Sequence, residues 1–297
     1  MEIFLRLLIS ILEEGLIYGI MALGVYITYR VLNFPDLSVD GTFPLGACVT
    51  GALIASGAHP VAALCASFGC GLLAGLVTGL LHVRLKITDL LSGILVMTGL
   101  WSVNLVVLGG KSVLPFYNAP TIFNSGLAAL LPEALYRRRV LILLALVVLI
   151  VKLAVDAYFR TKNGLLLRAT GDNACFVSSL AIDPGRMKVL GLMLGNGLAA
   201  LSGSVLAQQA ESANVSSGTG MVVMGLASVI IGGSLFGRMK FLRPTTAVLL
   251  GSIVYKACLV LAMQLGLPTN YLKLLMSAIF VVALVAGRFT EGRKTHA

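Results

Sequence analysis

Residues able to do chemistry are few in this 297-residue chain, and their spacing suits binding better than bond breaking. Asp36 and Asp40 stand about one helical turn apart in a stretch punctuated by Pro35, Gly41 and Pro44. Asn104, Asn196, Gln208 and Gln209 are lone amides within apolar runs, and Lys256 lies alone inside Thr245–Gln264. Polar groups in such surroundings either line a solute path or satisfy one another between helices. The three histidines never pair at i,i+4 and the five cysteines show no CxxC spacing, so no metal site is expected. The thiols read as small buried hydrophobes.

Gly109-Gly110-Lys111-Ser112 resembles the end of a phosphate-binding loop, but Leu105 occupies the position five residues before Gly110 where that loop needs glycine. No GxSxG, HExxH or aspartate-rich diphosphate motif occurs either. An ATPase activity within this chain is therefore not expected, and neither is a membrane enzyme built on a metal or an acid/base cluster.

The elements that must position these residues follow from composition. Apolar types make up 58% of the chain and charged types 11%, and mean hydropathy is +0.98. A soluble chain carries about 25% charged residues, so most of this surface must face lipid. A helix crosses a hydrocarbon core with about 20 apolar residues. Gly41–Val83 has no charge and suffices for two crossings turning at Ala58-His59-Pro60; Val189–Ala210 is one crossing, and Ser212–Gly237 is a charge-free run opening on a polar turn. Further crossings read at 9–29, 88–108, 139–159, 244–264 and 271–287. The alternation that a membrane barrel requires is missing. The sequence thus predicts an all-α, polytopic transmembrane bundle of about 8–10 spans, forming a single domain over 1–297. Met1–Ser10 lacks the features of a cleavable signal, so the first span is expected to stay in place.

One span is expected to be broken or re-entrant. Pro35, Gly41 and Pro44 oppose a continuous helix, and a re-entrant segment over 31–57 would bring both chain ends to one side. Asp36 and Asp40 then read either as cavity-lining groups or as turn and cap residues. Gly71, Gly75 and Gly79 share a helix face and read as a packing stripe. Lys152 and Asp156, one turn apart, are expected to neutralise each other. Lys256 should face the interior or a partner.

The net charge of +10 collects at span ends: Arg84 and Lys86; Arg160, Lys162, Arg168, Arg186 and Lys188; Arg238, Lys240 and Arg243; Arg288, Arg293 and Lys294. The positive-inside rule places these clusters in the cytoplasm, so the basic balance reports topology and not a nucleic-acid partner. Lys111 and Arg137-Arg138-Arg139 fall on the outer side against that rule. The longest cytoplasmic connection, Arg160–Lys188, combines apolar Leu165, Leu166, Phe176, Val177 and Leu180 with Gly164, Gly171 and Asn173. Asp183-Pro184 supplies an N-cap followed by proline at the first helical position. This pattern predicts one or two short surface helices suited to docking a soluble partner; the alternative is a solvated linker.

Gly164, Arg168, Ala169, Gly171, Asp172 and Asn173, followed by Ala181-Ile182, resemble the coupling motif of bacterial ABC-importer permeases of the branched-chain amino acid/ribose superfamily. Asn33–Gly41 (NFPDLSVDG), Gly195–Gly203 (GNGLAALSG) and Gly225–Gly233 (GLASVIIGG) resemble further segments of that superfamily in the same order. The Asp-Leu-Ser-Val-Asp-Gly version is most similar to a tryptophan/tyrosine-type subgroup.

The resemblance implies a permease subunit in the bacterial cytoplasmic membrane that translocates a small polar solute, in the first instance an amino acid of aromatic or branched-chain type. It implies cytoplasmic ABC ATPase subunits carrying ATP and Mg, an extracytoplasmic solute-binding protein, and a second permease copy, identical or homologous, with no cofactor on this chain. Gly164, Arg168, Ala169, Gly171, Asp172 and Asn173 would meet the ATPase. Asp36, Asp40, Asn104, Asn196 and Gln208 are candidates for the solute path. Arg137, Arg138, Arg139 and Glu211 are candidates for docking the binding protein, with lipid headgroup contact as the alternative. A gradient-driven secondary transporter is the alternative function; it would not need the 160–188 loop in this form.

Overall fold

The computed structural model describes residues 2–125, 138–237, 239, 241–264, 268 and 271–292. Within them the chain forms eleven α-helices: α1 (Glu2–Val25), α2 (Val39–Ala55), α3 (Pro60–Val83), α4 (Asp89–Val107), α5 (Arg139–Tyr158), α6 (Lys162–Asp172), α7 (Ala174–Ser179), α8 (Pro184–Ala210), α9 (Met221–Phe236), α10 (Pro244–Gln264) and α11 (Leu272–Gly292). Seven are long and apolar enough to cross a membrane, and α2 and the apolar part of α11 are shorter. This is the all-α, multi-pass architecture that the charge-free runs predict. Two strands of three residues are added, β1 (Val113–Pro115) and β2 (Ser212–Asn214). They pair antiparallel with Leu114 opposite Ala213 and close one end of the bundle, while α6 and α7 close the other.

Helices α1, α2 and α8 form the centre. Residues 15–25 of α1 are almost entirely buried whichever way they point, and so are Gly195–Ala200 of α8 and Gly41–Cys48 of α2. Around them, α3, α4 and α5 expose bands of Leu73 and Val77, Leu95 and Val106, and Leu146, Ile150 and Leu153. Those bands are the lipid-facing surface, since no aqueous surface would leave so much apolar area uncovered. Close approach of the central helices depends on missing side chains. A Cβ on Gly71, Gly75 or Gly79 of α3 would run into α8, and one on Gly46 of α2 would overlap the Ala200 carbonyl. The thiols differ from expectation: Cys48 is buried, Cys70 half-buried, and Cys65, Cys175 and Cys258 exposed. Cys65 and Cys258 point outward from their helices, where lipid covers a thiol as well as a protein core does.

The early break exists and is not re-entrant. Beyond α1 the helix widens into a π-helical stretch, Tyr26–Val31, followed by an irregular segment to Ser38. Midway along α1, Glu13 Oε2 accepts at 3.2 Å from Gln209 Nε2 at the end of α8; where the π-helical stretch finishes, Val31 meets Gly171 of α6. Helix α2 then starts beside Asn196, midway along α8, and ends against the strand pair, where Gly51 abuts Ala213. The segment therefore travels from one end of the bundle to the other and does not fold back. Gly41 and Pro44 lie inside α2. A proline removes one helical hydrogen bond, and the carbonyl thus freed, that of Asp40, is covered by Gly218.

Helix contacts made at glycine have a direct test. Gly75→Leu should be overpacked against Leu192 and Met193, whereas Gly69, with nothing near its Cβ position, should accept leucine. Overpacking costs about 1–3 kcal/mol, so thermal melts in detergent should show a Tm loss of roughly 2–10 °C for Gly75→Leu and none for Gly69→Leu.

Candidate functional site: a broken helix joined to a surface platform

The break is held by a buried network. Asp36 Oδ1 accepts from the Ser38 backbone N–H at 2.9 Å and from Ser38 Oγ at 2.6 Å. Its Oδ2 accepts from Asn196 Nδ2 at 2.7 Å. Asn196 Oδ1 accepts in turn from Thr42 Oγ1 at 2.7 Å, and Asn196 Nδ2 also donates to the Leu192 carbonyl at 3.1 Å. Among these contacts Asp36 has no cationic partner. The low dielectric that makes an unpaired buried carboxylate expensive also strengthens each of its hydrogen bonds. The network fixes the first turn of α2 to the middle of α8.

Asp40 makes a second junction. Helix α9 begins within the bundle after a 3-10 turn, Val215–Gly218, and Gly220 before it has φ +88°. That entry leaves the first amides of α9 without helical partners. Asp40 Oδ2 accepts from the Gly220 N–H at 3.1 Å and Oδ1 from the Val222 N–H at 2.7 Å. An N-cap carboxylate normally comes from the chain just before the helix; here another helix provides it, and its charge opposes the positive end of the α9 dipole.

The other amides lie in separate places. Asn104 Nδ2 donates to the Gly41 carbonyl at 3.1 Å, and its buried Oδ1 has no partner. Gln208 is remote from the break: it donates to the Pro60 carbonyl at 3.2 Å and accepts from the Ile122 N–H at 3.0 Å. Asp36, Asp40, Asn104 and Asn196 therefore converge on α2, and Gln208 does not.

At the opposite end, α6 and α7 form the platform that the 160–188 pattern predicts. Thr161, Asn173 and Asp183 cap α6, α7 and α8 by accepting from Gly164, Phe176 and Gly185 N–H groups. Gly164 and Gly171 face inward: Gly164 rests on Tyr158 and Phe159, and Gly171 on the Val31 carbonyl and Leu32. Asn33 Nδ2 donates to the Gly171 carbonyl at 3.0 Å, so α6 grips the broken segment directly. Arg168 lies over the Phe159 ring with its guanidinium carbon 4.5 Å from the centroid, and Ala169 is half-buried. The outward surface consists of Arg168, Asp172 and Asn173 with Leu165, Phe176 and Leu180, which are 57%, 53% and 50% exposed.

Of the outer candidates, Arg137 lies outside the described residues. Arg138 is exposed and Arg139 opens α5. Glu211 ends α8 in the left-handed region at φ 49°, and its carbonyl accepts the Phe116 N–H at 2.9 Å. No ion pair joins Glu211 to Arg138 among the described residues.

Some functional contacts have little trace in sequence. Asp156 binds Lys152 at 3.0 Å as the spacing predicts, and also Arg243 Nη1 at 2.9 Å and Thr245 Oγ1 at 2.6 Å, which ties α5 to the start of α10. Lys256 pairs with Glu14. The available signal for that pair was charge balance, because a lysine within a spanning helix needs a carboxylate at its own depth.

The geometry is that of a transport protein: a bundle of membrane-crossing helices with a broken central helix coupled to an exposed platform. Residues 7–284 match the family described as branched-chain amino acid transport system / permease component, and the chain belongs to it. It is 41% identical to a tyrosine transport system permease protein of Clostridioides difficile over 98% of this chain and 95% of that one. An uncharacterized protein of Rickettsia prowazekii is 31% identical, covering 94% and 97%. The ribose import permease protein of Escherichia coli is 25% identical, covering 90% and 78%. Among solved structures, a chain of PsaBC from Streptococcus pneumoniae in complex with Fab superposes with a TM-score of 0.52 at 12% identity, over 92% of this chain and 89% of that one. That likeness extends to the fold.

Asp40→Ala should free the first amides of α9 and lower stability by about 0.5–2 kcal/mol, the usual worth of a cap. Asp40→Asn, which keeps an acceptor, should lose less. Thermal melts of the two variants in one detergent give the comparison.

Proposed function

We propose that this chain is the membrane-spanning subunit of an ATP-binding-cassette importer in a bacterial cytoplasmic membrane, and that it moves an amino acid, in the first instance an aromatic one. The solute class rests on the 41% identity to the tyrosine system permease along nearly the whole chain. The energy source rests on the platform, the observation that carries this reading. Leu165, Phe176 and Leu180 stand exposed on short capped helices at the end rich in Lys and Arg. An apolar patch rimmed by charge is the usual form of a protein-docking surface. ATP and Mg would reside on two soluble subunits docked there, and an extracytoplasmic binding protein would deliver solute at the β1–β2 end to a pair of permease copies.

In this reading the ATPase moves α6, and α6 moves the break. Gly171 bears on Val31 and holds Asn33, so a shift of α6 displaces the segment leading into α2. Asp36–Asn196 and Asp40–α9 convey that shift to α8 and α9 as a hinge between helices. Gly164 and Gly171 act through close packing within the chain, and Arg168, Asp172, Asn173, Leu165 and Phe176 provide the partner contact.

A gradient-driven transporter remains the second reading, favoured by the Glu14–Lys256 pair within the bundle. Proteoliposomes decide between them: uptake should require ATP inside together with the ATPase and binding protein, and an ion gradient alone should give none. Leu165→Glu/Phe176→Glu should reduce ATPase co-purification at least tenfold while detergent melting stays unchanged. Full ATPase retention by that variant would remove the platform from the interface.

A further inference from the structure

Asp36 and Asp40 have their carboxylate oxygens engaged by Ser38, Asn196 and the α9 amides. One other cluster of charges lies at membrane depth near the β1–β2 end. Glu14 of α1 pairs with Lys256 of α10, and their side chains are 33% and 14% exposed. Lys256 Nζ lies 5.4 Å from the centroid of the Tyr18 ring. Tyr18 stacks on Phe43 of α2 with centroids 6.1 Å apart and the planes 27° off parallel. Beside them Glu13 receives one amide hydrogen bond, from Gln209 of α8.

Three properties separate this cluster from the buried network. It is partly exposed, and carboxylates at membrane depth face water or a polar occupant and not lipid. It sets two carboxylates against one ammonium, with Glu14 on Lys256 and Glu13 on the Gln209 amide. It also sets the Lys256 ammonium over the face of Tyr18. A free amino acid presents an ammonium and a carboxylate on one carbon, with its side chain to one side. Lys256 would take the carboxylate and Glu13 with Glu14 the ammonium, while Tyr18, 8% exposed and stacked on the wholly buried Phe43, backs Lys256 from the inner side. A few precisely placed polar groups are what fixes the orientation of a small molecule in its site.

We propose that Glu13, Glu14, Lys256 and Tyr18 form a recognition site on the solute path for the zwitterionic head of an amino acid. The inference rests on the amino-acid reading above. The solute opens the Glu14–Lys256 pair and replaces it with two pairs of its own, so the site is closed when empty and bridged when filled.

The test uses the complete importer in proteoliposomes, with L-tyrosine as the first probe and the other nineteen amino acids after it. The readout is solute moved per ATP hydrolysed at saturating binding protein. Glu13→Gln keeps the hydrogen bond from Gln209 and removes the negative charge; it should lower that ratio at least tenfold while ATP hydrolysis and melting temperature hold. The exchange Glu14→Lys/Lys256→Glu keeps an ion pair and reverses its direction, and it should melt like the original and fail to transport. Should the exchange not fold, Glu13→Gln decides alone. A normal transport ratio in Glu13→Gln overturns the site, as does a loss traced to dissociation of the permease copies, which would make these residues a contact between subunits. If the unaltered importer moves none of the twenty amino acids, the functional reading falls and this site with it; if it moves one and the variants match it, the site alone falls.

Discussion

Breaking a helix inside a membrane exposes backbone groups where water cannot reach them, and the rest of this bundle is arranged around that constraint. Each freed donor or acceptor between Val31 and Pro44 must find a partner within the protein. Distant parts of the chain enclose the break: Asn196 bonds Asp36, Asp40 takes the first amides of α9, and Gly218 covers the carbonyl that Pro44 leaves open. Central helices then need close approach, which explains glycine at 46, 71 and 75. The outer helices carry no such burden and expose mainly apolar side chains, with Thr98, Trp101 and Ser102 among them on α4.

Rigidity at the break and mobility of the whole are compatible. The junctions are hydrogen bonds between helices, and in the proposed coupling they would carry displacement without unfolding. A platform at one end that rests on Val31 at Gly171 is connected to the middle of α8 through Asp36 and to the head of α9 through Asp40. Transport proteins with discontinuous helices use the same economy, placing irregular backbone where it is enclosed by protein or lines a cavity.

Much of this was legible in sequence because lipid imposes simple rules. Charge-free runs located the spans, basic clusters located the platform end, and Pro35 located the break. The Gly71, Gly75 and Gly79 stripe announced its own helix face. Gly41 and Pro44 misled, since a proline six residues into a helix is tolerated when another segment covers the one carbonyl it frees. The partners were not legible. Nothing local to Asp36 points to Asn196, and nothing near Lys256 points to Glu14, because both pairings are created by tertiary packing. The inward orientation of Gly164 and Gly171 was hidden for the same reason: a sequence motif names residues but not the face they occupy.

The distance along the chain between Asp36 and its partner bears on biogenesis. Asn196 is 160 residues downstream, and at about 5–20 residues per second of synthesis it emerges roughly 8–32 s after Asp36. During that interval α1 and α2 have entered the membrane region with a carboxylate lacking its α8 amide. The early helices must therefore be sheltered by the insertion machinery, or wait near the aqueous interface, until α8 arrives to draw the broken segment to the centre.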